Sequence, residues 1–406
     1  MTPKKVLRLA LIALWILSTT LLPSGAAFPA GSAEGLASPY FFNLPRWEVI
    51  NLWDVLHSKL SRSERSNPFV EQSDLDLVKE YFRSGAEIRT LQTRIRQLSA
   101  SSPGDTPQIR QLEAEVETIK RETKDKETRV KAIITRQIGL VLSNEGILPL
   151  PPIVFAFDKP PQILVISPRE RIALQKTILL EPTLTLEQVT TLERKIEVPT
   201  HRDSSGQALG VSALVEELGG LALYPSLVPE ASTLEQALPT IAHEWVHQYL
   251  FFRPLGQKYG ASYEMTTINE TAANIVGDEV GERVLRDYGI RLEKGPRKKP
   301  SGFDFNQEMR QTRLKVDELL AKGHVKEAEE YMEERRQLLS KEGYYLRRLN
   351  QAYFAFHGSY GDTPASVSPV GGWLKAIRTR SPSLGDFLRR VAQISSYEEL
   401  ESLATK

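Results

Sequence analysis

The sequence predicts an α+β fold that is mainly α: a small β-sheet beside a pair of packed helices, a C-terminal helical subdomain, and an antiparallel helical hairpin inserted ahead of the sheet. Three observations lead there. Apolar residues recur at three- and four-residue steps across residues 74–142, 234–285 and 305–356. Short β-branched runs broken by Pro and charged turns are confined to residues 150–225. A chain of 406 residues is also long enough for two structural units, each with its own core.

Composition narrows the function before any motif is read. Lys and Arg total 52 against 51 Asp and Glu, so no basic surplus points to a nucleic-acid partner. The chain has no Cys, which excludes disulfides, thiolate metal sites, lipid attachment through Cys and Cys nucleophiles.

In order, residues 1–33 read as a targeting segment. Lys4, Lys5 and Arg8 precede the apolar run Leu9–Leu17, and the small residues Ser24, Gly25, Ala26 and Ala27 follow. That is the order of a secretory signal, or of an N-terminal membrane anchor if it stays uncleaved. The rest of the chain is then expected outside the cytoplasm, with membrane contact only through this segment. Residues 34–73 read as a connector with one short helix, Trp47–Leu60, on which His57 is read as a surface residue.

In residues 74–142, Ile88, Leu91, Ile95 and Leu98, and then Ile109, Leu112, Val116 and Ile119, step by three and four. The breaker Ser99–Asp105 lies between them, so two heptad-patterned helices turn back on each other. Such a hairpin is a packing arm or a docking site for a protein partner.

Residues 150–290 carry the sheet and the chemistry. Ile153–Phe157, Ile163–Ile166 and Thr177–Leu180 read as strands, Thr185–Ile196 as a helix, and Thr200–Gly206 as a polar loop. Val211–Leu218 fits strand or helix. Gly220-Leu221-Ala222-Leu223-Tyr224 reads as a strand stopped by Pro225.

Then comes His243-Glu244-Trp245-Val246-His247, an H-E-x-x-H motif on an amphipathic helix marked by Leu234, Leu238, Ile241, Trp245 and Tyr249. One helical turn separates His243 from His247, so both imidazoles can reach one metal ion. Glu244, rotated off that axis, is placed to take a proton from the ion's water. A second helix, Thr267–Leu285, carries Glu270 in its first turn as the third ligand. Two His and one Glu suit a single Zn2+.

Basic residues 291–299 read as a solvated loop. The remaining helices (around Phe305–Leu319, Val325–Leu339 and Tyr344–Phe356) make residues 303–406 the C-terminal subdomain.

No third His follows His247, so the metzincin pattern is absent. The polar flanks of the motif set intramembrane zinc proteolysis aside. A His-His-Glu set with the Glu on a downstream helix resembles the gluzincin zinc peptidases. The segments HEWVHQYL, INETAANIVGDEVG and NQAYFAFHGSY are similar to the predicted bacterial aminopeptidases of that clan, a resemblance over roughly the C-terminal half.

It implies peptide-bond hydrolysis in the bacterial envelope, on a peptide or protein substrate, with Glu244 as general base. It also implies a substrate-binding edge strand, for which Gly220, Leu221, Ala222, Leu223 and Tyr224 are the candidates, and an oxyanion donor from the C-terminal helices, Tyr360 or His357. One departure is plain. Where the thermolysin-type motif has an Asp four residues after its Glu, this chain has Asn274, with Asp278 one turn on as the alternative partner for an imidazole N–H.

An aminopeptidase also needs an acid for the substrate's free amine, and Glu216, Glu217 and Glu264 all remain open. Two other readings stand beside it: an extracytoplasmic endopeptidase or processing protease, and a non-catalytic envelope scaffold working through the hairpin.

Overall fold

The computed structural model describes residues 28–29, 31–51, 71–101, 107–198, 201–202, 208–230, 232–290 and 302–405. The expected targeting segment up to residue 27, His57, most of the expected Trp47–Leu60 helix, the expected hairpin turn at 102–106 and the basic stretch 291–299 lie outside them. Among the described residues no helix is long and apolar enough to cross a membrane.

The chain begins with α1 (Ala33–Ala37), a bridge between Phe41 and Leu180, and a helical stretch over residues 44–51. The buried Trp47 anchors that stretch by donating its indole N–H to Asp158 at 2.7 Å. The hairpin follows as α2 (Gln72–Ser101) and α3 (Pro107–Asn144). Asp74 accepts from Arg129 at 3.0 Å and Arg136 at 2.7 Å, and Glu80 pairs with Lys126 at 2.8 Å, so the two helices run antiparallel. Strands β1 (Phe155–Asp158), β2 (Gln162–Pro168) and β3 (Lys176–Leu180) lead to α4 (Leu186–Glu197), which opens on a Thr185/Gln188 capping box. The expected polar loop carries a two-residue ladder, β4 (His201–Arg202) with β5 (Ala208–Leu209). Next come β6 (Val211–Glu217) and β7 (Ser226–Pro229).

The motif helix is α5 (Leu234–Leu250), started by a Thr233/Gln236 capping box, and a single turn, α6 (Pro254–Gln257), leads to α7 (Tyr263–Asp287). The rest is α8 (Phe305–Ala321), α9 (Val325–Lys341), α10 (Gln351–His357), α11 (Val370–Arg380), α12 (Leu384–Val391) and α13 (Tyr397–Thr405).

The three-stranded antiparallel sheet runs β3-β2-β6, and its period-two alternation splits the core. Ile163, Val165 and Leu214 face α8–α10, whereas Leu164, Ile166, Ala213 and Val215 face α1 and α4. A separate core joins α5 and α7 to α11–α13 and to the base of the hairpin, where Val78, Phe82, Val130, Ile134 and Ile138 are buried. The hairpin is therefore an arm only in its outer half. Nor do the helices after residue 303 share one core as a single subdomain would: α8–α10 cover the sheet, and α11–α13 cover the motif helices.

Three other expectations are corrected. Gly220–Tyr224 is not a strand. The chain leaves β6 at Gly219-Gly220 and folds back through a single Leu221–Leu227 bridge, while Gln248 on α5 donates to the Leu223 carbonyl and to Ser226 Oγ. Those local partners satisfy the backbone that a sheet would otherwise have taken. The strand is β6, over the stretch that fitted strand or helix. The expected helix Tyr344–Phe356 is helical only from Gln351, because Arg347 and Arg348 extend across to Glu193 and Glu197 on α4. Finally, α7 begins at Tyr263, so Glu270 sits at the end of its second turn, not in the first.

Candidate metal centre

The site is made by two helices whose backbones meet. Pro239, inside α5, lacks the N–H that an interior position would use; its ring packs against α7 at Gly281 and its carbonyl at Gly277. A Cβ at Gly281 would fall 2.6 Å from the Pro239 ring, and one at Gly277 would fall 2.8 Å from the Pro239 carbonyl and 3.0 Å from His243 Cβ. Only glycine permits this approach, and it brings the two histidines of α5 to the carboxylate of α7.

Three donor atoms converge. His243 Nε2 and His247 Nε2 are 2.9 Å apart, and Glu270 Oε2 lies 3.5 Å from the first and 3.4 Å from the second. A tetrahedral ion with bonds of about 2.0–2.1 Å holds its donors roughly 3.3 Å apart. The triangle fits a zinc-sized cation. Without a cation or proton between them, two imidazole lone pairs at this separation repel. The ligand atoms of His243, Glu244 and His247 also lie within 4.8 Å of one another. Glu270 remains the better third donor, because one of its oxygens faces both imidazoles at nearly equal distance.

The neighbours set the tautomer. Asn269 Oδ1 is 2.8 Å from His247 Nδ1, and its amide nitrogen donates to the Leu255 carbonyl at 3.5 Å, which turns the oxygen toward the ring. With the proton on Nδ1, the lone pair of His247 Nε2 points to the centre. This role was expected of Asn274 or Asp278, and neither has it. Asn274 donates to Asp362 at 3.2 Å, and Asp278 makes no hydrogen bond to either imidazole. Asn269 could have been read from its place just before Glu270, since one helix step carries a short acceptor to the side of the ring. Tyr259, which donates to Glu270 Oε1 at 2.7 Å, left no signal in the sequence because it sits on the loop before α7.

The electrostatics follow from burial and charge. Burial alone would lift the Glu270 carboxyl, but the two imidazoles outweigh it and hold it well below the usual carboxylate range. Burial would lower His247; with no ion between the rings, Glu270 overrides that and pushes it up to about 9, so a cation bound here would displace the Nε2 proton. Glu244 is 6% exposed, and burial raises its carboxyl against the pull of both imidazoles. A base working near neutrality needs a carboxyl raised from its ordinary value in this direction. The chain at Gly220 passes directly over Glu244 Oε1, where a side chain would collide.

Beside these groups lies a cavity of 330 Å³. Its walls are the end of β6 with Glu217–Gly220, the face of α5 with Thr240, His243 and Glu244, the face of α7 with Asn274 and Asp278, and the pair His357 and Tyr360. Both expected oxyanion donors thus reach the cavity wall. The loop carrying Tyr360 is tied to α7, since Gly361 N–H donates to Thr271 Oγ1 at 2.8 Å and Asn274 binds Asp362. The Glu270 charge, with burial, keeps the Tyr360 phenol well above its ordinary value, so it stays a donor. His357 stacks on Tyr353 with ring centroids 4.2 Å apart, and burial pushes it down to about 4, so it is neutral at physiological pH. Of the expected amine-binding acids, only Glu217 lines this cavity. A second cavity of 310 Å³, between the sheet and α9–α10, is lined by charges that are already paired, Arg169 with Glu329 and Arg348 with Glu197.

The sheet edge beside the cavity is mostly closed. On the outer side of β6 the Ala213 and Val215 N–H groups donate to Glu197 at 3.1 Å and Glu193 at 2.7 Å, while Asn350 and Arg347 cover the two carbonyls at 3.0 and 2.9 Å. By the same alternation, Glu217 is the next residue whose backbone faces outward.

Comparison with known proteins returns no match among family models, curated proteins or solved structures.

Proposed function

We propose that the protein is a zinc-dependent peptidase that cleaves at the free N-terminus of peptides, with His243, His247 and Glu270 holding the ion. The convergence of these three donors beside an upshifted, buried Glu244 is the observation that carries the reading. A divalent ion bound there acidifies a water and polarises a carbonyl. Glu244 takes the proton from the attacking water and returns it to the departing amine. Asn269 keeps His247 in the ligating tautomer. Tyr360 and His357, which line the same cavity, serve as donors to the oxygen that gains charge, a contribution made mainly in the transition state.

Two features favour a terminal cleavage over an internal one. An endopeptidase holds several substrate residues along a sheet edge, but here Glu193, Glu197, Arg347 and Asn350 occupy that edge up to residue 215. The edge that stays open ends at Glu217, which lines the cavity and offers a carboxylate to an ammonium. The charged, apolar, small-residue order of residues 1–33 supports action outside the cytoplasm.

The test is a panel of peptides offered with free and with acetylated N-termini. Stepwise release confined to free N-termini is expected, and Glu217→Gln should raise KM for those peptides. Internal cleavage regardless of acetylation would replace this reading with an endopeptidase. Absence of cleavage by zinc-loaded protein would favour the scaffold.

A further inference from the structure

Glu270 offers two oxygens, and the structure gives them different neighbours. Oε2 faces both imidazoles, at 3.5 Å from His243 Nε2 and 3.4 Å from His247 Nε2. Oε1 accepts the phenol of Tyr259 at 2.7 Å. Tyr259 belongs neither to the motif helix nor to α7. It projects from the loop between α6 and α7, where Tyr259 N–H donates to the Gly256 carbonyl at 3.1 Å, Ala261 N–H to Lys258 at 3.0 Å, and Gly260 N–H to Thr266 Oγ1 at 3.3 Å. Its ring lies edge-on to His247 with centroids 6.0 Å apart, and the side chain is 51% exposed. Little packing therefore demands a tyrosine here, and the hydroxyl is what distinguishes it from phenylalanine.

A carboxylate can bind a metal through one oxygen or through both. A bidentate Glu270 would add a fifth donor to the two imidazoles, one carboxylate oxygen and a water, and so crowd the position a substrate carbonyl needs, since a catalytic site of this kind works by keeping one open. Resting on the metal-centre reading above, we propose that Tyr259 is a positioning residue that holds Glu270 Oε1 away from the ion, so that Glu270 ligates through Oε2 alone and the site keeps an open position. The hydrogen bond, charge-assisted and short, opposes rotation of the carboxylate toward the imidazoles.

Tyr259→Phe in the full chain tests this with two readouts besides hydrolysis: affinity for Zn2+ by chelator competition, and the visible absorption of the Co2+-loaded protein. Four-coordinate Co2+ absorbs strongly, and added ligands weaken the band. The variant should lose about 10- to 100-fold in metal affinity, the usual cost of removing a partner hydrogen-bonded to a ligand. Its Co2+ band should weaken while its far-UV circular dichroism stays that of the parent. An unchanged affinity and band would overturn the proposal, as would a lower affinity with an unchanged band, since the hydroxyl would then not govern how many oxygens bind. Failure of the parent protein to bind either ion would instead remove the metal centre itself.

Discussion

The molecule contains two antiparallel helix pairs built on opposite plans. In α5 and α7 the backbones touch: Pro239 lies on Gly277 and Gly281, and almost every residue of the contact is buried. In α2 and α3 the helices meet through a seam of side chains, Val78, Phe82, Ile109, Val116 and Val130, and toward the tip Ile88, Leu91 and Ile95 are only half-buried. A side-chain seam can absorb a methyl group by repacking. A backbone contact cannot, because nothing lies between the helices to move. That rigidity lets three donors from two helices meet within 3.5 Å. The hairpin needs only to stay paired.

This difference can be broken or sharpened by substitution. Glu244→Gln should lower hydrolysis by about 10²- to 10⁴-fold, the worth of a general base, with zinc content unchanged. Retained activity would remove Glu244 from the chemistry. Glu270→Ala should strip the metal, and unchanged zinc by elemental analysis would refute its assignment as a ligand. Gly281→Val pushes two methyl groups into the Pro239 ring. It should destabilise by about 1–3 kcal/mol or more in chemical denaturation and lower metal affinity with it. Val116→Ala in the hairpin should cost about 1–2 kcal/mol and leave zinc affinity as it was. If both substitutions changed metal binding alike, the two helix pairs would not be mechanically distinct.

The smallest effect concerns the base of the hairpin. Burial opposes ionisation of Asp74, but the hydrogen bonds from Arg136 and Arg129 prevail and hold its carboxyl below the ordinary value. A lowered folded pKa means the stabilisation is present at neutral pH, begins to fade near the unfolded value of about 3.9, and is gone once pH falls below the folded one. Asp74→Asn should therefore cost about 1 kcal/mol at pH 7, with the difference from the parent shrinking below about pH 4. A difference that persisted at pH 2 would mean packing, not charge, links the two helices.

Elements with a long period were readable in advance. The hairpin and the motif helix with its successor follow from spacing and breakers, since each pattern repeats over enough residues to outweigh local exceptions. Strands β1–β3 are short but were marked by β-branched runs between Pro and charged turns. Two other short stretches were misread. Gly220–Tyr224 has the composition of a strand, yet Gln248 and the Leu221–Leu227 bridge take its backbone. The steps through Tyr344–Asn350 look helical, yet Arg347 and Arg348 are drawn out by two glutamates more than 150 positions earlier, near contacts that no local pattern encodes.

The amino-acid sequence by itself determined the mainly helical α+β class, and it placed His243, Glu244 and His247 on one helix, because three neighbouring positions on a rigid 3.6-residue spiral have their directions set by spacing alone. Only the tertiary structure decided the rest of the centre. It brought Glu270 to the imidazoles over a Pro–Gly contact, chose Asn269 over Asn274 and Asp278 as the partner of His247, and set Tyr259 on the far oxygen of Glu270. It also closed the sheet edge with Glu193 and Glu197. Each of these depends on where separate segments meet, and that is settled by packing over the whole core.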